Sequence, residues 1–191
     1  MIKRLLYTLF ILMFCITTCP ANIILMHQAV LARKNAGGAT PGILWGDDTV
    51  DAVVDALGNN RTVKVQRTAG ASGTLTNGYA YIGQSDSSED PCKLIVFDTS
   101  GNVLAESDVA TLPGNSVNWV EFTFSGGAQI AITGSTSYVV SPHCGDTVEC
   151  QGNGGNKDYN NDTYSDGVED PTTWGSWQEE DINMYLWGTL S

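Results

Sequence analysis

Apolar and polar residues alternate along most of the chain beyond residue 43. In residues 62–67, Val63 and Val65 share one face while Lys64 and Gln66 share the other. A period of two marks a strand, because successive side chains of an extended backbone point to opposite sides. Residues 117–124 repeat the pattern. Asn118, Val120, Phe122 and Phe124 are expected inward, and Val117, Trp119, Glu121 and Thr123 outward. Residues 182–187 do so again, with Ile182, Met184 and Leu186 set against Asn183, Tyr185 and Trp187. Residues 75–83, with Tyr79, Tyr81 and Ile82, read as a further strand. Residues 93–98 (KLIVFD) are almost continuously apolar, as in a central strand buried on both faces. Residues 103–106, 129–133, 136–141 and 158–164 complete the set. One stretch departs from it: Val50, Val53, Val54 and Leu57 fall at helical spacing, which predicts a short helix or turn over 50–57.

Turn residues separate these runs: Gly58-Asn59-Asn60, Asp98 to Asn102 (DTSGN), Ser125-Gly126-Gly127 and Gly134-Ser135. Roughly eight to ten short strands at this spacing predict an all-β antiparallel sandwich. The last strand is preceded by a long acidic loop carrying Asp166, Gly167, Asp170, Pro171, Trp174 and Trp177. Loops are where a sandwich carries function, because the strands are spent on the core.

The first residues are of a different kind. Lys3 and Arg4 precede a nearly unbroken apolar run over residues 5–16. That layout belongs to a secretory signal. Apolar character resumes at Ile23, so a retained membrane anchor is the rival reading, and a true start at Met26 is a third. Residues 36–42 (AGGATPG) form a small, turn-prone joint. The expected organisation is therefore a signal peptide or anchor with a short linker over 1–36, and one β-sandwich binding module over 37–191. Secretion or display at the cell surface follows.

Charge narrows the partners. The formal net charge is −12, and beyond residue 34 only five basic residues stand against 21 acidic ones. Such a surface repels a phosphate backbone, so nucleic acid is not an expected partner.

Two of the five cysteines fall in the N-terminal segment, leaving Cys92, Cys144 and Cys150. An oxidising compartment would allow two of these to bridge. Cys144 and Cys150 enclose a short loop that closes at little entropic cost. They are the expected pair, with Cys92 left over; Cys92 with Cys144 is the alternative.

The run KLIVFDTSGNVLAES from Lys93, then WVEFTF from Trp119, YVVS from Tyr138, YSDGVEDP…WGSW from Tyr164 and INMYLWG from Ile182 resembles a known family. It is similar to jelly-roll modules of the carbohydrate-binding kind, found in secreted environmental bacterial proteins and in phage surface proteins. The resemblance spans residues 61–190. It implies a sandwich of jelly-roll type and an extracellular binding role. The insert at residues 151–156, with Cys144 and Cys150, departs from that pattern.

Three candidate chemistries can be weighed. Pyranose C–H faces pack on aromatic planes while polar neighbours bond the hydroxyls. Trp174, Trp177, Tyr164 and Tyr159, with Asp166 and Gln178, are the expected glycan-binding residues. The competing reading makes the two tryptophans anchors of their loop. Asp158, Asn160, Asp162, Asp166 and Glu169 have the alternation and final carboxylate of a calcium loop. Thr163 stands where an EF-hand needs glycine, so only a looser structural calcium is a candidate. Catalysis has little to point to. His143 and Cys144 are adjacent, so on an extended chain they point opposite ways, and no hydrolase or phosphate-loop motif occurs. The expected function is a non-catalytic adhesion module for a glycan or cell-surface polymer. The alternative is a structural subunit of a virion, tail or appendage, whose aromatics bury against a second copy or another chain.

Overall fold

The computed structural model describes residues 39–50, 53–57, 61–84, 86–87, 89–145, 148–152, 159–175 and 182–191, with backbone alone at 53–57, 61, 148–152 and 159. The expected targeting segment, residues 1–36, lies outside these. The unit that carries the strands is Pro41–Ser191.

In chain order the first strands are β1 (Pro41–Gly46), β2 (Val53–Leu57), β3 (Arg61–Val63), β4 (Val65–Thr68) and β5 (Gly73–Gln84). Next come β6 (Pro91–Phe97), β7 (Val103–Glu106), β8 (Ala110–Thr111), β9 (Ser116–Thr123) and β10 (Ala131–Ile132). The last are β11 (Ser137–Cys144), β12 (Val148–Gly152), β13 (Tyr159–Asn161) and β14 (Met184–Leu190). Two single 3-10 turns, Gly126–Ala128 and Tyr164–Asp166, are the only helical pieces among the described residues.

The strands divide between two antiparallel sheets. In the first, β14 lies between β1 and β5, and β9 and β10 pair with β5; β12 joins β5 to β2. In the second, β11 lies between β6 on one side and β3 with β4 on the other; β7 and β8 pair with β6, and β13 with β3. The pairing is nested. The first strand pairs with the last, β4 with β11, β5 with β9, and β6 with β7 at the centre. Successive pairs also alternate between the sheets. That is the connectivity of a jelly roll.

Period-two patterning explains the layering. Ala80, Ile82, Phe122, Met184 and Leu186 point from the first sheet into the interior, and all are buried. Val63, Val65, Leu94, Val96 and Val140 meet them from the second. The expected inward set of β9 is correct in Val120, Phe122 and Phe124, whereas Asn118 is exposed. Gly78 lets the layers approach closely: a Cβ there would sit 2.4 Å from Leu94 Cδ2. The sheets are also clipped at one margin. Trp45 of β1 is fully buried and donates from Nε1 to the Arg67 carbonyl of β4 at 2.8 Å. The Arg67 guanidinium lies 5.8 Å above the Trp45 ring and pairs with Asp47 at 2.8 Å.

Two expectations are corrected. Residues 53–57 form a strand and not a helix, paired antiparallel along β12 from Val53 to Leu57. Helical spacing over so few residues is weak, and β-branched valines accept a partner strand readily. The disulfide joins Cys144 to Cys92, not to Cys150. β11 and β6 run antiparallel with Cys144 directly opposite Cys92. Cys150 belongs to β12 of the other sheet, opposite Asp55 and Ile82. The short loop between Cys144 and Cys150 is thus a crossing between layers, so nearness in sequence did not make a pair.

Candidate functional site

The outward faces of the two sheets differ, and that difference locates the site. The second sheet is covered. Ile95, Phe97 and Val139 point away from the main core yet are fully buried, because Val103, Val168 and Trp174 pack over them. Trp174 meets Phe97 edge-on, with ring centres 5.3 Å apart at 83°. The covering loop is tied to the β6–β7 hairpin: Thr172 N–H donates to the Gly101 carbonyl at 2.9 Å, and Val103 N–H donates to Asp170 Oδ1 at 3.0 Å. Gly101 is required there, with φ +91 and the Thr172 carbonyl 2.2 Å from where a Cβ would sit. Asp98 holds the same hairpin by accepting from Ser100 and Asn102 N–H, as the DTSGN turn predicts.

The first sheet carries an aromatic cluster on its outward face. In β5 the inward Gly78, Ala80 and Ile82 alternate with the outward Asn77, Tyr79 and Tyr81. Register sets Tyr79 between Tyr185 of β14 and Glu121 of β9, and sets Tyr81 beside Trp119. Tyr79 and Tyr185 stack with centres 4.7 Å apart and planes 18° apart. The Trp119 indole stands edge-on to Tyr185 at 5.1 Å and to Tyr81 at 5.4 Å. All four rings are half-buried, so they keep part of their surface in solvent. Trp187, also half-buried, is opposite Asn77 in the neighbouring row.

Polar groups border the rings. Asn77 Nδ2 donates to Glu121 Oε1 at 2.6 Å. Tyr79 is opposite Glu121 in the register, and its phenol is pushed up to about 12, by burial first and then by the Glu121 carboxylate. Tyr185 is raised too, by burial and then by Asp48 and Glu121. Asp48 follows the end of β1, whose Gly46 is opposite Tyr185. The arrangement is a stacked tyrosine pair with the Trp119 indole edge-on to it and the Glu121 carboxylate at its border. It suits aromatic contact and hydrogen bonding.

The residues singled out from sequence lie on the other side of the domain or outside the described part. Trp174 is the loop anchor on Phe97 just described. Its Nε1 is buried with no hydrogen-bond partner among the described residues. Trp177, Gln178 and Asp158 lie outside the described residues, as does the side chain of Tyr159. Tyr164 is half-buried, 5.3 Å from the buried His143 ring, and Asp166 is exposed. His143 Nε2 lies 3.2 Å from the Asp162 carbonyl. The acidic residues of the loop mostly hold the chain. Asp162 Oδ2 accepts from Glu169 N–H at 2.8 Å, and Glu169 Oε2 accepts from Asn160 Nδ2 at 2.6 Å. Among the described residues no group of three or more His, Cys, Asp or Glu side chains could hold a metal ion. Asp158, the first of the expected calcium ligands, lies outside the described residues.

The aromatic face was not chosen from sequence, although its signal was present. Trp119, Glu121, Tyr185 and Trp187 all stood in the outward sets of their alternating strands. What was missing was the pairing of β9, β5 and β14, which turns separate aromatics into one surface.

Fold and site together define a jelly-roll β-sandwich with one covered sheet and one aromatic sheet. The chain matches no protein-family model and no curated protein.

Proposed function

We propose that the domain is a non-catalytic extracellular binding module, and that its ligand is a glycan held against Tyr79, Tyr81, Trp119 and Tyr185. The observation that supports this most is the half-buried aromatic cluster on the outward face of the first sheet, bordered by Asn77 and Glu121. Sugar rings stack on such planes through their C–H faces while amide and carboxylate groups take the hydroxyls. Strands hold the rings in register, so little ordering entropy is lost on binding. The proposed contact face thus replaces the loop aromatics as the favoured site. An extracellular setting is compatible with the Cys92–Cys144 disulfide.

A glycan array probed with the protein tests the reading. Trp119→Ala should weaken any hit roughly tenfold, the loss of about 1.5 kcal/mol of aromatic contact. The variant's melting curve confirms that it is folded. The second reading is a structural subunit of a virion, tail or surface appendage, in which a partner chain covers the same face. An array without hits, together with light scattering that shows an assembly dissolved by Trp119→Ala, would establish that reading instead.

A further inference from the structure

Resting on the glycan reading, we infer that the aromatic face selects sugars bearing a free, protonated amine, with Glu121 as the specificity-determining residue.

The argument begins with charge placement. Glu121 is exposed, yet its carboxylate accepts from Asn77 and its backbone is opposite Tyr79 of the ring pair. Asp48 is exposed at the end of β1, near enough for its charge to act on Tyr185. One carboxylate therefore borders the stacked tyrosines from β9, and a second follows β1, whose Gly46 is opposite Tyr185. Two of the described basic side chains have carboxylate partners of their own. Lys93 pairs with Glu106 in the second sheet, Arg67 pairs with Asp47 over Trp45, and Lys64 separates β3 from β4. The stacked phenols of Tyr79 and Tyr185 are raised by burial first and then by carboxylates, with no cation among the causes. The surroundings repeat this bias, with five basic residues against 21 acidic ones beyond residue 34.

Each class of glycan meets this face differently. Uronates and sulfated sugars bring negative charge to two carboxylates and are repelled. Neutral sugars stack with no electrostatic gain. An ammonium gains twice. The faces of Tyr and Trp rings attract a cation through their quadrupole, and a fixed carboxylate makes a charge-assisted hydrogen bond to it. Charge complementarity therefore favours a hexosamine polymer that has lost its acetyl groups.

Two oligomers of equal length, differing only in N-acetylation, supply the test. Titration calorimetry at mildly acidic pH compares a chitosan oligosaccharide with the corresponding chitin oligosaccharide. The free-amine form should bind roughly three- to fivefold more tightly, the effect of one exposed cation contact. Added salt should shrink that ratio. Glu121→Gln should bring the ratio toward one, with a melting curve to verify folding. Equal binding of the two oligomers by the native protein, or a ratio unchanged in Glu121→Gln, overturns the inference. If neither oligomer binds while neutral glycans on an array do, this inference fails and the glycan reading stands. If no glycan binds at all, both fail.

Discussion

Trp174→Ala separates the two roles that an aromatic residue can have in this domain. The indole packs edge-on against Phe97 beside Val103 and Val168, where it seals the outward side of the second sheet. Removing a fully buried tryptophan costs about 3–5 kcal/mol. Trp174 is half-buried, which brings the loss to roughly 2 kcal/mol, of which about 0.5–1.5 kcal/mol is the ring pair. One term opposes this: its buried Nε1 has no partner among the described residues, and relieving such a group returns about 1 kcal/mol. The net cost is then about 1 kcal/mol, or roughly 2–4 °C in melting temperature for a domain of this size. Differential scanning calorimetry measures the shift. Trp174→Phe should lose less than Trp174→Ala, because it keeps a ring on Phe97 and discards the unpaired N–H. Glycan affinity should be unchanged in both. If Trp174→Ala melts with the native protein but loses its ligand, the indole is a contact surface, and the assignment of the site to the opposite sheet is wrong.

Other tests bear on the frame and the face. Replacing Cys92 and Cys144 by alanine removes a crosslink between residues 52 apart, for which chain entropy gives up to about 4 kcal/mol; thermal denaturation should show a loss of about 2–4 kcal/mol. Gly78→Ala would press a methyl group against Leu94, with Phe124 and Leu186 close behind; overpacking of this kind costs about 1–3 kcal/mol in denaturant titrations. Tyr79 should ionise at about 12 in an ultraviolet pH titration instead of at the ordinary 10.0. Its folded pKa lies above its unfolded one, so its stabilising contribution is complete below pH 10 and is lost as pH rises toward 12. Glu121→Gln should move that titration back toward the ordinary value, and a titration that does not move would refute the contact between the two side chains.

Much of the architecture was readable because alternation reports burial directly. Val63 with Val65, Phe122 with Phe124, and Met184 with Leu186 all turn inward as their spacing requires. The turn at Asp98 to Asn102 was legible for a local reason, an aspartate able to cap its own loop. Pairing partners were not legible, because a strand's sequence records which face is buried and not which neighbour lies beside it. The Cys144 misreading has that origin: chain proximity to Cys150 was visible, whereas β11 lying against β6 was not. The site was obscured in the same way. Tyr79, Trp119 and Tyr185 are distant in sequence and meet only after three strands align. Trp174 stood out in sequence because it lies in a polar loop, yet a loop can turn its indole onto the neighbouring sheet as easily as into solvent.

The nesting of strand pairs has a consequence for how the protein is made. β14, the last strand in chain order, is not an edge but lies between β1 and β5. A ribosome-bound chain halted before Met184 would leave two open ladders and an unroofed interior. The central β6–β7 hairpin can close early from near neighbours, whereas the outermost pair must wait for contacts that span the whole domain, the slow class of closure. Commitment to the native state is thus deferred until β14 emerges, and a nascent chain short of it offers its unpaired edges to whatever chaperone or sister chain is near.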